Sequence, residues 1–494
     1  MLTRLKIDGF KNLVGVDISF GPFTCIAGAN AVGKSNLFDA IVFISDLTEK
    51  SFYEAAINIR GDGKSGDAGY IRSLFFSADG NNDRHMKFDA EFIIPPTGID
   101  NLRQPLKATI TFLKYSLELR LREDDWDSAG PIALVHESLT YITRSDAKKH
   151  LPFVAGNSSW IESVVVGKRS GGPFISTNST ENSDANENTI IQLHKDGGSR
   201  GKPIGIQASD TPRTLLSATN FENPTALLAK QEMRSWRRLQ LESSAMRQPD
   251  DRSAPSQISA IGGHLAKTLY ALEEPSNEIA EQDDRPSNYS LLSQRLSELL
   301  DDVHAVKVDI DEHRNVMTLM VAGKDKAFYP ARSLSDGTLR FLALGILELS
   351  NSSEVLCLEE PENGIHPTRI GAMLQLLRDI ATDVEEPTGL DNPLRQVIVN
   401  THSPGVVEKL EATELVVADV ANITTDTKHG NVKVARFAPV GIDSWRSRTH
   451  PDIRPVTLTS LVEYLTYSDR ARIQETENTS IKQLIESQLK LNLD

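Results

Sequence analysis

Cysteine is scarce in this sequence, and long apolar runs are absent from it. Only Cys25 and Cys357 occur among 494 residues. Each lies in a short apolar run that is typical of a buried strand, so we interpret both as core side chains rather than as metal ligands or redox groups. No run of about 18 apolar residues occurs, which argues against a membrane-spanning helix.

Positive charge is also in deficit. The sequence has 53 Lys and Arg residues and 68 Asp and Glu residues, which gives a formal net charge of −15. This balance argues against a surface coated in positive potential for non-specific nucleic-acid binding, although a local basic groove is compatible with it. Charged residues interrupt the first ten positions, so they lack the apolar core of a signal peptide. We expect a cytoplasmic protein of two or three globular domains.

The strongest motif is a glycine-rich segment between a strand pattern and a helical pattern. Gly28 to Ser35 fit the spacing G-x-x-x-x-G-K-S, in which successive backbone N–H groups and a helix N-terminus bind phosphate. On this pattern Lys34 reaches the β- and γ-phosphates of a nucleotide, and the Ser35 hydroxyl binds Mg²⁺. The segment predicts a nucleotide site.

Paired carboxylates, Glu359 and Glu360, end a second apolar strand pattern. Successive side chains of a strand point to opposite faces, so one acid can hold Mg²⁺ while its neighbour polarises an attacking water. We assign Glu359 to magnesium and Glu360 to general base catalysis. The same letters can also mark a solvated turn.

Two further segments carry polar groups next to regular elements. Ser335 and Gly337 precede a strongly apolar helical pattern, as an ordinary N-cap does, or as a second phosphate-binding end that completes a site on a facing subunit. His402 ends an apolar strand pattern, a place where a lone histidine is often structural.

In this order, the four segments resemble the Walker A, signature, Walker B and switch-histidine motifs of ABC-type ATPases. Asn30 and Asn36 resemble the RecF, Rad50 and SMC branch. Over about residues 1–145 and 300–440 the chain most resembles the ATPase half of overcoming-lysogenization-defect proteins and the stand-alone ATPases of anti-phage systems such as Septu and PARIS. It departs from the general pattern in Glu359, where aspartate is usual, and we could place no Q-loop glutamine.

The resemblance implies a composite site between two subunits. ATP and Mg²⁺ would be held by one subunit and capped by Ser335 and Gly337 of the other, while His402 would sense the γ-phosphate. It therefore implies ATP hydrolysis to ADP and phosphate in a homodimer or a larger even-numbered oligomer. The nucleotide-binding residues implied in the first subunit are Gly28, Asn30, Gly33, Lys34, Ser35 and Asn36.

The predicted fold class is α/β, an ABC-type P-loop ATPase head with a mixed core sheet, an antiparallel β subdomain and a helical insertion. We expect the first half of the head at 1–145, an insertion at 146–303, the second half at 304–440 and a helical tail at 441–494. Within the insertion, composition predicts a loop over 167–205, and periodicity predicts helices near 226–246, 257–272 and 289–300. The tail pattern predicts helices near 457–467 and 481–491.

The best basic and aromatic cluster of the insertion comprises Arg234, Trp236, Arg237 and Arg238. Arginine beside tryptophan suits phosphate contact with base stacking, whereas a charged helix face that covers its own tryptophan is the other interpretation. We predict a possible contact with DNA or a partner here.

Three functions compete. The first is the sensor and scaffold ATPase of an anti-phage complex, which controls a separately encoded effector such as a nuclease; the chain after His402 is too short for the Toprim nuclease of the lysogenization-defect proteins. The second is a DNA-repair or DNA-clamp ATPase. The third is a transporter subunit, which Asn36 and the long insertion disfavour.

Overall fold

The computed structural model describes most of the chain, in ranges separated by gaps. These ranges are 1–59, 68–77, 84–122, 130–154, 156, 158–169, 171–179, 189–196, 204–273, 286–350, 352–424, 431–463 and 465–466. The helix predicted near 481–491 lies outside the described residues. Within them, no helix is both long enough and apolar enough to cross a membrane.

The described residues form many short strands and helices. The strands are β1 (Leu2–Asp8), β2 (Val16–Ser19), β3 (Phe23–Ala27), β4 (His85–Ile93), β5 (Thr97–Ile99), β6 (Pro105–Lys107), β7 (Phe112–Leu121), β8 (Ile132–Tyr141), β9 (Ile175–Ser179), β10 (Thr189–Leu193), β11 (Ile204–Gln207), β12 (Trp236–Leu239), β13 (Asp250–Asp251), β14 (Ala305–Asp311), β15 (Val316–Ala322), β16 (Phe328–Pro330), β17 (Val355–Glu359), β18 (Gln396–Thr401), β19 (Leu415–Thr424) and β20 (Asn431–Pro439). The α-helices are α1 (Lys34–Asp46), α2 (Phe52–Asn58), α3 (Ala68–Ser73), α4 (Arg144–His150), α5 (Ser158–Val164), α6 (Pro224–Arg234), α7 (Ser243–Met246), α8 (Leu265–Glu273), α9 (Asn288–Leu299), α10 (Asp336–Leu349), α11 (Ile370–Ile380), α12 (Pro404–Val407) and α13 (Trp445–Thr449).

A six-stranded sheet forms the centre of the molecule, in the order β12-β17-β18-β3-β19-β20. Its first five strands are parallel, and β20 pairs antiparallel with β19. Both faces are covered, as is usual for parallel strands. In β17, Val355 and Cys357 face α1, while Leu356 and Leu358 face α10 and α11. The mixed core sheet is thus confirmed, and both cysteines are buried in it.

An eight-stranded antiparallel sheet packs over α1, in the order β11-β10-β9-β8-β7-β4-β1-β2. This confirms the antiparallel β subdomain. The loop predicted over 167–205 is wrong in part, because β9 and β10 extend this sheet there. Ile175, Ile191 and Leu193 are buried on its inner face, and this sparse alternation is weak beside the surrounding Ser, Asn and Thr residues.

A smaller sheet lies on the other side of the core, together with helices α8 and α9. β13, β15, β14 and β16 form this sheet, and α9 packs so tightly on α10 that a Cβ at Gly345 would lie 2.6 Å from Leu292. The helix predicted near 289–300 is therefore confirmed. The one predicted near 257–272 begins only at Leu265, because the preceding residues form turns.

The predicted helix near 226–246 is wrong between Arg234 and the short helix α7 (Ser243–Met246). The chain turns there into β12, an edge strand that pairs parallel with β17. Trp236 and Leu239 are buried on either face of it. Their spacing of three fits one helix face equally well, so the local pattern did not distinguish the two. Because β12 belongs to the core sheet, the region 146–303 is not a continuous insertion.

The side chains of this strand correct the predicted DNA contact. Trp236 is only 1% exposed and packs edge-on against Phe92, so a base cannot stack on it. The Arg237 guanidinium donates twice to one carboxylate oxygen of Glu354, at 3.0 and 2.6 Å. Arg238 donates to Asp39 Oδ1 at 2.7 Å. Trp236, Arg237 and Arg238 therefore stabilise the fold through contacts within the chain.

We predict that Arg237→Ala destabilises the protein by about 3 kcal/mol, because it leaves the buried Glu354 carboxylate without its cation. Chemical denaturation would measure this loss. The matched control is Arg234→Ala, since Arg234 pairs with Glu49 while both side chains are about half exposed. We expect the control to change stability by less than about 1 kcal/mol. Equal effects of the two substitutions would contradict the structural role of Arg237.

Candidate functional site

Three neighbouring parallel strands bring the predicted motifs to one edge of the core sheet. β3, β18 and β17 end next to one another, with Asn400 paired to both Ile26 and Glu359, and Thr401 paired to Ala27. Parallel strands present their carboxyl ends at the same edge, which is where open α/β sheets bind ligands. The glycine-rich loop, the carboxylate pair and the histidine therefore lie at the same edge of the sheet.

The phosphate loop needs its two outer glycines. A Cβ at Gly28 would lie 2.3 Å from the carbonyl oxygen of Ala418. Gly33 has φ of +116°, and a Cβ there would lie 2.7 Å from Ala435. Gly33 also occupies the N-cap of α1, where no side chain caps the helix and no acid stands in the first turn. The first N–H groups of α1 can therefore donate hydrogen bonds to a phosphate.

Lys34 is buried beneath this loop. Its ammonium donates to the carbonyl oxygens of Gly28 at 2.6 Å and Ala29 at 2.7 Å. Burial lowers the pKa of Lys34, and the nearby carboxylates of Glu360 and Glu362 oppose that shift. The cation is thus held in the loop, where a phosphate would gain most from it.

Glu360 and His402 form a direct pair. His402 Nδ1 lies 2.7 Å from Glu360 Oε1, and Asn363 donates to Glu360 Oε2 at 2.9 Å. The hydrogen bond from His402 holds the pKa of Glu360 at about 2. The same contact raises the pKa of His402 above its usual range. The contact therefore favours the charged forms of both partners, a carboxylate and an imidazolium.

The backbone of Glu360 is strained to make this contact possible. Its φ is +43°, a left-handed value that is rare for a residue with a side chain. Its N–H donates to the side-chain oxygen of Asn400 at 3.0 Å. Strain of this kind persists where surrounding structure over-determines it, often at a functional site. The chain therefore changes direction between Glu359, the last residue of β17, and Glu360.

Glu362 belongs to the site, although no role could be assigned to it from the sequence. Its side chain is buried, and one oxygen accepts a hydrogen bond from the Thr401 hydroxyl. Thr401 in turn accepts from the Ser403 N–H at 2.9 Å, and this turn presents His402. Burial raises the pKa of Glu362. Its place after Glu360 and Pro361 was visible, but its burial was not.

Glu359 lies at the sheet edge with Arg238 nearby. Arg238 Nη1 is 3.9 Å from Glu359 Oε1 and also pairs with Asp39 of α1. Within the described ranges, no group of three or more His, Cys, Asp or Glu side chains could hold a metal alone. A hydroxyl from Ser35 and one carboxylate suit Mg²⁺, which takes few protein ligands and completes its shell with phosphate and water.

The two asparagines of the loop have different surroundings. Asn30 is exposed, whereas Asn36 donates to the side-chain oxygen of Asn12 at 2.8 Å. Asn12 comes from the turn between β1 and β2, and its amide also lies 3.5 Å from the carbonyl oxygen of Val32. No local sequence signal could have indicated that this distant turn supports the loop.

The signature segment packs against the turn that follows Glu360, and not against the phosphate loop. The Ser335 hydroxyl caps α10 by accepting from the Thr338 N–H at 3.2 Å. A Cβ at Gly337 would lie 3.1 Å from the carbonyl oxygen of Gly364. Among the described residues, no hydrogen bond or ion pair links Ser335 or Gly337 to residues 28–36. Ser335 is exposed, so it is available to another molecule.

We predict that Glu360→Gln lowers the pKa of His402, because the carboxylate that stabilises its imidazolium is lost. NMR titration of labelled histidines would measure the shift, and Glu362→Gln, which keeps the direct contact, should produce a smaller one. The pair stabilises the fold above the ordinary carboxyl pKa of 4.5 and below the ordinary imidazole pKa of 6.5. This stabilisation is lost as pH falls towards about 2, or rises through the raised pKa of His402. An unchanged His402 pKa in Glu360→Gln would refute the pairing.

Comparison with known proteins identifies one matching family and several similar solved structures. No curated protein matches the chain. Among solved structures, the chain is similar to an SMC head bound to the C-winged helix domain of ScpA, at 12% identity over 89% of this chain and 98% of that chain, with a TM-score of 0.42. The SMC head domain from Thermotoga maritima shows 11% identity over 89% and 99%, with a TM-score of 0.35.

A Pyrococcus furiosus Smc head with an extended coiled coil, bound to the C-terminal domain of ScpA, shows 12% identity over 89% and 96%, with a TM-score of 0.40. The family model described as "AAA domain, putative AbiEii toxin, Type IV TA system" matches residues 23–147 and 212–408. The second stretch includes β12, consistent with its place in the core sheet. Because well over half of the chain is matched, including the strands that build the site, the protein belongs to this AAA-domain family.

Proposed function

We propose that this protein binds ATP with Mg²⁺ between two copies of itself, hydrolyses it, and thereby controls a separately encoded effector in an anti-phage defence complex. The observation that carries the ATPase part is the convergence of Lys34, Glu360 and His402 at the ends of three adjacent strands. A phosphate cradle, a carboxylate base and a cation then face one reacting group.

Each residue has one task in the hydrolysis. Lys34 leaves the carbonyl oxygens of the loop and binds the β- and γ-phosphates. Ser35 and Glu359 would hold Mg²⁺, which, when bound, neutralises the charge on the phosphate oxygens. Glu360 takes a proton from the attacking water. The water oxygen forms a bond to the γ-phosphorus while the bond from that phosphorus to the bridging oxygen breaks. The products are ADP and phosphate.

The resting geometry implies that Glu360 must first be released. A carboxylate with a pKa of about 2 is a poor base at neutral pH. Its acidity comes first from the hydrogen bond with His402. A γ-phosphate that attracts the imidazolium would draw His402 away, and the pKa of Glu360 would rise towards its ordinary value. In this proposal His402 acts as the γ-phosphate sensor, as the family resemblance implies.

The signature segment completes the site from the second subunit. Ser335 and Gly337 are not in contact with the phosphate loop of their own chain, and Ser335 is exposed at the N-terminus of a 14-residue helix. A head-to-tail dimer would place this end on the partner's γ-phosphate. ATP would then join the subunits through charge-assisted hydrogen bonds that are lost after hydrolysis.

We predict that two inactive variants restore activity when mixed. Lys34→Ala removes the phosphate cation, and Ser335→Arg blocks the cap, so each homodimer should lose ATPase activity by at least about 100-fold. A mixed dimer carries both defects in one site and none in the other. Mixing should therefore recover about a quarter of wild-type activity for random pairing, as half the dimers are mixed.

Steady-state phosphate release would measure this recovery. The control is a mixture of Lys34→Ala with Glu360→Gln, because both changes affect the same half-site and no intact site can form in any pairing. Absence of recovery in the first mixture, with dimers present, would contradict the composite site. Recovery in the control mixture would do so as well.

The effector part of the proposal rests on different grounds. The family description names a toxin and a TA system, which fits a protein that works with a separately encoded partner. The alternative, a clamp that acts directly on DNA, predicts that Arg237 and Arg238 contact DNA. Both guanidiniums are engaged with carboxylates of the fold, so they no longer support it.

We predict that Glu360→Gln traps ATP in a dimer or a larger even-numbered assembly, since binding proceeds while proton removal fails. Native mass spectrometry, with and without ATP and Mg²⁺, after co-expression with the neighbouring gene, would detect the nucleotide and any partner in fixed ratio. Glu408→Gln, an exposed carboxyl outside the site, is the matched control and should turn over ATP normally. A nucleotide-free monomer of Glu360→Gln would contradict its role as base, and no companion protein would favour a direct DNA clamp.

A further inference from the structure

A large cleft lies at the edge of the core sheet opposite the nucleotide site. Its volume is about 1080 Å³, slightly above the usual range for ligand pockets, about 300–1,000 Å³. Phe23, the first residue of β3, lies on its wall, whereas the phosphate loop follows the other end of the same strand. A ligand here would not compete with ATP for space.

Aromatic side chains form one wall of the cleft. Phe153 packs edge-on against Trp445 at 5.8 Å between ring centroids, and Phe153 also contacts Trp160 in the same manner at 5.9 Å. Phe23 adds a third aromatic ring to the lining, beside those of Phe153 and Trp445. Beside it, Arg378 is bound by the Glu414 carboxylate through two hydrogen bonds of 2.6 and 2.8 Å. The wall is therefore apolar, and its main cation is already neutralised.

The rim of the cleft is acidic. Five exposed carboxylates border it and make no ion pair within the described part of the chain, against one exposed cation, Arg448. These carboxylates belong to Asp383, Glu386, Asp391, Glu411 and Asp443. A site with apolar rings inside and unpaired negative charge outside is complementary to a cationic segment that also carries an apolar side chain.

The loop between α11 and β18 holds an apolar side chain out beside this rim. Leu390 is 87% exposed, more than any other large hydrophobic residue among the described ones. The loop is nevertheless well fixed, because the Asn392 amide donates to the carbonyl oxygens of Asp383 at 2.8 Å and Glu386 at 3.0 Å. Thr388 donates to the Ser163 hydroxyl at 3.1 Å. A preorganised loop loses little entropy when a partner binds.

We infer that this cleft docks a basic segment of a separate partner protein, one in which Lys or Arg residues flank an aromatic or aliphatic side chain. The cationic residues would pair with the rim, and the apolar side chain would enter between the aromatic wall and Leu390. The inference rests on the proposed function only in requiring a separate partner. It adds the surface and the chemistry by which that partner is recognised.

The position of the cleft gives docking a route to the nucleotide site. β3 runs from Phe23 at the cleft to Ala27 beside the phosphate loop, a span of about 15 Å. β18 likewise follows the cleft loop and ends at Thr401, which supports His402. A change at one end of these strands can reach the other through rigid elements.

The test uses the full-length protein and a fluorescein-labelled probe peptide, Lys-Arg-Trp-Lys-Leu-Arg-Lys, in fluorescence anisotropy at low salt. The cleft variant combines Glu386→Lys, Asp391→Lys and Asp443→Lys, none of which removes a side-chain hydrogen bond that the structure records. We expect binding to weaken at least 10-fold in this variant and several-fold in Leu390→Ser.

A matched control variant combines Asp301→Lys, Glu312→Lys and Asp452→Lys. These exposed acids lie outside the cleft and change the net charge by the same amount. We expect the control to bind the probe like the wild type. Equal weakening in both triple variants would show only non-specific attraction to an acidic protein and would overturn the proposal.

Two further outcomes would also overturn it. A probe with serine in place of Trp and Leu that binds equally well would make the cleft a simple cation site. Loss of self-association in the cleft variant alone, measured by light scattering, would make the occupant a second copy of this chain. ATPase activity of the cleft variant, which we expect to be unchanged, separates this proposal from the proposed function: probe binding can hold where ATP hydrolysis fails, and the reverse.

Discussion

The rest of this structure depends on one constraint, the parallel pairing of β3, β18 and β17. Because these strands are adjacent and run in the same direction, the residues that follow each of them meet at one sheet edge. Lys34 and His402 are more than 300 residues apart in the sequence, with Glu360 between them. The strand pairing brings the three residues together, so the long segments between them do not have to. A one-residue shift in register would move Glu359 away from Asn400 and turn its side chain to the other face.

Much of this arrangement could be predicted from the sequence, because its signals are local. The glycine spacing of 28–35 works through the backbone of a single turn, and the strand ends at Glu359 and Thr401 are marked by apolar runs. The motif positions follow from those runs. The antiparallel β subdomain was predicted for the same reason, since its strands β4, β7 and β8 each alternate over nine or ten residues.

What could not be predicted depends on pairing with distant residues. Trp236 and Leu239 fit a helix face until β17, some 120 residues later, provides a strand edge and Glu354 for Arg237. The burial of Glu362 depends likewise on Thr401, from a different strand. β9 and β10 exist because β8 provides an edge for them, within a region whose composition favours a loop. In each case tertiary pairing outweighed local preference.

The same long-range contacts set the chemistry of the site. From sequence, Glu360 is an ordinary carboxyl and His402 an ordinary imidazole. Their contact at 2.7 Å lowers the pKa of Glu360, which makes its carboxylate a weaker base. It also raises the pKa of His402, which favours the imidazolium. In the proposed mechanism, these shifts would oppose hydrolysis at rest and favour attraction of a γ-phosphate. A site built in this way would gain its catalytic base only as the sensor moves, so nucleotide recognition and proton transfer become one event.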